Sequence, residues 1–115
     1  MVTEPIIDSE NIEDQTISLE LRLPHDLGYL QGHFPDAPIL PGVVQIDWAI
    51  AFAKRYLGID GEFNKMENVK FKNIISPDAL LNLTIVKKDN EKITFEYQSE
   101  KGNHSSGRIY FTPCQ

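Results

Sequence analysis

Pro41-Gly42-Val43-Val44-Gln45-Ile46-Asp47-Trp48-Ala49-Ile50-Ala51-Phe52-Ala53 opens on Pro-Gly and carries only two polar side chains, Gln45 and Asp47. Wound as a helix it is apolar on every side, and such a helix is ordinarily buried. Proline suits the first turn, where its missing N–H is not required, and the helical pattern runs on to Leu57 before Gly58 offers a stop. The spacing predicts one long central helix over residues 41–57. A carboxylate inside it has to be protonated, hydrogen-bonded or paired, because an isolated buried charge is costly. Upstream, Gly32-His33-Phe34-Pro35 sets a histidine fourteen residues before Asp47.

Away from the helix the periodicity is that of strands. Thr16-Ile17-Ser18-Leu19-Glu20-Leu21-Arg22-Leu23 alternates polar and apolar until Pro24, whereas residues 1–14 are acidic and weakly patterned. Residues 24–40 are rich in proline and glycine and predict a long ordered loop. After the helix, Val69 to Lys72 alternates, Ser76-Pro77-Asp78 turns, and Leu81 to Val86 follows. Asp89-Asn90 reads as a tight turn into Ile93 to Ser99, and Gly102-Asn103 as another before a last strand near residues 106–112. One buried helix followed by a meander of four strands predicts an α+β fold, an antiparallel sheet wrapped around the helix.

The 115 residues make a single domain, 1–115, with a core of its own. Lys plus Arg is 11 against 17 Asp plus Glu, a net charge of -6, which disfavours nucleic acid as a partner. The one cysteine, Cys114, forms no internal disulfide and has no assignable base, so it reads as inert. The N-terminal MVTEPIIDSENIEDQ lacks a basic and an apolar region, so no signal or transit peptide is expected. No apolar run reaches the roughly 20 residues a membrane span needs. These features predict a soluble, cytoplasmic protein. No pair of histidines or cysteines has metal-ligand spacing and no glycine loop suits a phosphate, so neither metal nor cofactor is expected.

His33 and Asp47 could each be structural: the histidine capping a turn, the carboxylate a satisfied core group. Their setting favours chemistry. Phe34-Pro35 restricts the backbone at His33. A helix beginning at Pro41-Gly42 leaves N–H groups free to bind a developing oxyanion, with glycine allowing close approach of a carbonyl. The same helix then supplies a carboxyl group as acid or base.

Gly32-His33-Phe34-Pro35-Asp36-Ala37-Pro38-Ile39-Leu40-Pro41-Gly42-Val43, with Asp47 beyond, resembles the GHFPxxPxxPGV signature of the hotdog-fold 3-hydroxyacyl-ACP dehydratases. The resemblance is close over residues 28–58, and Val69-Lys70-Phe71 and Ser76-Pro77-Asp78 resemble the strand and turn that come next in that family. In length and in the run from Pro41 to Ala49 the chain is similar to the small dehydratases encoded with aryl polyene and polyketide-like clusters. The resemblance makes His33 and Asp47 the catalytic pair and gives the thioester carbonyl to the backbone amides of Gly42 and Val43. Most of the family has glutamate where this chain has Asp47; aspartate resembles the dehydratase/isomerase branch, from which isomerase activity does not follow. His33 would take the proton alpha to the carbonyl, the two amides would hold the enolate-like oxygen, and Asp47 would protonate the leaving hydroxide, giving the trans-2-enoyl thioester. In this family the histidine and the carboxylate of one site come from different subunits, so a homodimer or higher homo-oligomer is expected, with a hetero-oligomer containing another hotdog subunit as a variant.

Phe34 and Trp48 are candidates for lining an acyl tunnel, core packing being the plainer reading of Trp48 and Phe52. His25 and His104 read as solvent-exposed. The substrate's acyl carrier protein is acidic, so an acidic enzyme needs a local positive patch, for which Arg55, Lys65, Lys70 and Lys72 are the candidates. Two other functions compete with dehydration: thioester hydrolysis on the same fold, and a non-catalytic hotdog subunit that holds an acyl chain or stabilises a partner. The His-Phe-Pro loop before Pro-Gly favours dehydration over hydrolysis, and a scaffold has no need of His33 and Asp47 together.

Overall fold

A computed structural model of the protein describes residues 4–23, 40–76 and 79–113. They contain β1 (Ile6–Glu13), β2 (Thr16–Arg22), α1 (Gly42–Leu57), β3 (Phe63–Phe71), β4 (Leu80–Asp89), β5 (Lys92–Ser99) and β6 (Gly102–Phe111). All strands join one six-stranded antiparallel sheet in the order β1-β2-β4-β5-β6-β3. The expected α+β arrangement of an antiparallel sheet with one long helix is present among the described residues, but the four-strand meander is not. Only β4, β5 and β6 meander; β3 pairs with β6 at one edge, and β4 pairs with β2. The apolar rows require this crossing, since Leu81, Leu83 and Ile85 lie opposite Leu21, Leu19 and Ile17. β1 is an edge strand that the sequence pattern did not show.

The inward rows continue across the sheet. Leu83 faces Tyr97 and Ile85 faces Phe95, while Ile93 faces Ile109. All of these side chains are buried, and α1 covers them with Val44, Ile46, Trp48, Ala49, Phe52, Ala53 and Leu57. Burying each large aliphatic side chain contributes about 1.5–3 kcal/mol, so these rows fix the strand register. One apolar row ends in polar groups, because Tyr97 pairs with Ser105, and both reach up to α1.

Gly58 ends α1 in the left-handed region, φ 68° and ψ 25°, behind Lys54 and Arg55 in the last turn. The expectation of a helix buried on every side fails. Val43, Asp47, Ala51 and Lys54 are exposed along one face, since a single sheet covers only the other.

Candidate active site

Pro41 precedes α1 in extended conformation, φ −61° and ψ 147°, and no side chain caps the helix. Its carbonyl accepts from the amides of Val44 at 3.2 Å and Gln45 at 3.3 Å. The amides of Gly42 and Val43 come before the first carbonyl that helix geometry could offer them. Among the described residues neither has a backbone acceptor, which suits them to an oxygen placed at the helix end. The ring of Phe71 lies against Gly42: a Cβ there would stand 2.7 Å from Phe71 Cζ, so a side chain at position 42 would displace the ring.

Gln45 holds this helix end to the sheet. Its Nε2 donates to the Leu40 carbonyl at 3.2 Å, and its Oε1 accepts from Ser105 Oγ at 2.6 Å. Its backbone carbonyl accepts from Tyr97 Oη at 2.7 Å. Gln45, Ser105 and Tyr97 are all buried. Of the two polar residues in the apolar run, the buried one is thus Gln45, and the argument from a buried carboxylate does not apply to Asp47. Burial pushes the Tyr97 phenol well above its ordinary range, because the ionised form would sit without solvent.

Asp47 is exposed one helical turn beyond Val43 and on the same face, which puts a carboxyl group on the side of the helix that Val43 opens. Trp48 points the other way into the core and is 5% exposed. His33 and Phe34 lie outside the described residues, as do His25, Cys114 and most of the loop over residues 24–40. The basic candidates do not form one patch. Arg55 sits in the last helical turn, 3.6 Å from Glu4 and over the ring of Phe52. Lys65 lies over the Tyr110 ring and Lys70 opposite Ser106, both on the sheet face away from α1; Lys72 follows the end of β3.

His104, read from the sequence as exposed, is 2% exposed. The chain after β3 covers it: the amides of Lys72 and Asn73 donate to its carbonyl, and the carbonyls of Asn73 and Ile74 face its Nδ1. It borders a cleft of about 540 Å³ at the end of the sheet where β5 meets β6, and the cleft's described walls include neither Gly42, Val43 nor Asp47.

The ApeI-like family model, described as ApeI dehydratase, matches residues 9–108. The chain belongs to the ApeI-like dehydratase family. Its fold resembles a chain of the dehydratase heterocomplex ApeI:P from Xenorhabdus doucetiae with a TM-score of 0.89 and 32% identity, covering 96% of this chain and 100% of that one. An uncharacterized protein from Erwinia carotovora subsp. atroseptica matches with a TM-score of 0.81 and 32% identity, covering 98% of each chain. The sheet and its central helix are the hotdog fold. Among curated proteins, the 3-hydroxyacyl-(acyl-carrier-protein) dehydratase FabZ of Erythrobacter litoralis is 42% identical over 67 residues, which span 50% of this chain and 44% of that protein. The match thus covers less than half the length of that relative. No described helix is long and apolar enough to cross a membrane.

Proposed function

We propose that the protein removes water from a 3-hydroxyacyl thioester, carried on an acyl carrier protein, to give the trans-2-enoyl thioester in fatty acid or aryl polyene-like biosynthesis. The observation that carries the proposal is the open face of α1, where Asp47 stands one turn from the Gly42 and Val43 amides. Dehydration needs an electrophile for the thioester oxygen and an acid for the leaving hydroxide, close together and open to a long substrate. The two amides polarise the carbonyl, a base takes the alpha proton, and Asp47 protonates the hydroxide as the carbon–oxygen bond breaks. His33 is the base in this reading, by its place in the Gly-His-Phe-Pro motif. Membership of a dehydratase family supports the reaction class.

A second subunit completes the site. Phe63, Met66 and Phe71 on edge strand β3 are exposed, and Phe71 lies against Gly42 at the start of α1. A partner hotdog subunit covering this side buries apolar surface and brings its own loop to Asp47. The partner is a second copy, or another hotdog subunit as the heterocomplex relative suggests. Phe34 lines the acyl chain's path in this assembly, Trp48 belongs to the core packing on the other side of α1, and Lys65, Lys70, Lys72 and Arg55 receive the acidic carrier from two sides. A soluble carrier as substrate places the enzyme in the cytoplasm.

The test incubates the purified protein with 3-hydroxyacyl-ACP and 3-hydroxyacyl-CoA of several chain lengths and follows intact mass. Loss of water with the thioester preserved is the expected result. Thioester cleavage would mean a hydrolase, and no change with any substrate would mean a non-catalytic subunit.

A further inference from the structure

The cleft at the β5–β6 hairpin contains a second arrangement of reactive groups, away from Asp47. Ser99 Oγ and His104 Nε2 are 2.6 Å apart. Two carbonyl oxygens face the other ring nitrogen, Ile74 O at 3.0 Å and Asn73 O at 3.3 Å from Nδ1. Carbonyls only accept, so Nδ1 carries the proton, and in the neutral ring Nε2 is the acceptor. The Ser99 hydroxyl must then donate to it. The Lys101 amide donates to Ser99 Oγ at 3.1 Å, which uses one oxygen lone pair and leaves the second open. A hydroxyl donating to an imidazole whose far nitrogen is oriented by a fixed acceptor is the arrangement that activates a serine nucleophile.

The surroundings fit an acyl group. Ser99 and His104 both border the cleft of about 540 Å³, whose apolar walls include Ile74, Ala79, Leu80 and Leu81. The carboxylates of Glu20, Glu100 and Asp8 outnumber Lys101 around the cleft and disfavour an anionic substrate; Asp8 is itself held by Arg22 at 3.0 Å.

We propose that Ser99, activated by His104, is an acyl acceptor for an uncharged ester or thioester bound in this cleft. Ser99 Oγ attacks the acyl carbon while its proton passes to His104 Nε2. The carbon–oxygen or carbon–sulfur bond of the substrate then breaks, and the leaving alkoxide or thiolate takes the proton from His104. The product is an O-acyl-serine, which water cleaves by the reverse proton route to release the carboxylic acid. Ile74 O stays on Nδ1 throughout and stabilises the transient imidazolium.

The probe is p-nitrophenyl acetate on the intact protein, with released nitrophenolate followed by absorbance and the acetyl group located by peptide mass mapping. The expected result is a burst of one acetyl per chain on Ser99, lost in Ser99→Ala and retained in Asp47→Asn, which separates this site from the dehydration site. His104→Asn should slow the burst by about a hundredfold or more, the usual scale for losing a general base. Mapping of the wild-type protein decides the matter even if a variant misfolds. Acetyl groups found only on lysines or the N-terminus, or the same burst from folded Ser99→Ala, would overturn the proposal and leave the Ser99–His104 bond as a staple of the hairpin.

Discussion

Gln45 fixes the start of the helix from which the proposed reaction draws its two amides. Its three hydrogen bonds tie the first turn of α1 to Leu40, β5 and β6, and thereby aim the Gly42 and Val43 amides. Gln45→Ala leaves Ser105 Oγ and the Leu40 carbonyl unpaired in a dry environment, and a buried unsatisfied group costs about 1–3 kcal/mol. Urea denaturation should show a loss of about 2 kcal/mol or more. Tyr97 adds a pH dependence. Its phenol titrates near 10.0 when the chain is unfolded and well above that when folded, because burial opposes ionisation. The folded state therefore holds the proton that the unfolded state releases, and stability falls as pH rises above about 10. Tyr97→Phe should be less stable at neutral pH by about 1 kcal/mol and should lose part of that alkaline decline in pH-dependent unfolding curves.

At the scale of elements, what the sequence revealed depends on how many neighbours each element has. α1 was legible because Pro41 and Gly58 mark its ends, and the alternation in β2, β4 and β5 because one face of each meets the core. β1 was not: Ile6–Glu13 is an edge strand, mostly exposed on both faces, with an irregular register beside Asp8, so nothing in its environment demands alternation. The first half of β3 was hidden for the same reason, since its inward Met66 lies where no helix covers it. His104 was misread because Gly102-Asn103 looks like an exposed turn, whereas its cover comes from residues 72–74, thirty positions upstream. Gly58 offers a test of the helix end. No atom lies within 4 Å of the position a Cβ would take, so Gly58→Ala should cost about 1 kcal/mol through its positive φ alone, as thermal or urea unfolding would show.

In the proposed reaction a single chain supplies only half of the dehydration site. The sequence marked Gly42, Val43 and Asp47, and the structure sets them at one end and one face of α1; the sequence could not show that this face is open, because that depends on which side the sheet covers. An apolar run predicts burial for both of its polar residues, and Gln45 is buried whereas Asp47 is exposed. The central claim is that Asp47 works with His33 supplied by another copy. Mixing two variants tests it most directly. His33→Ala and Asp47→Asn should each lower the dehydration rate by about a hundredfold or more. With free subunit exchange half of the dimers pair one variant with the other, and each such dimer carries one intact site of two, so the mixture should recover about a quarter of wild-type activity. Near-wild-type rates from the single variants, or no recovery in a mixture whose exchange has been verified, would contradict the account.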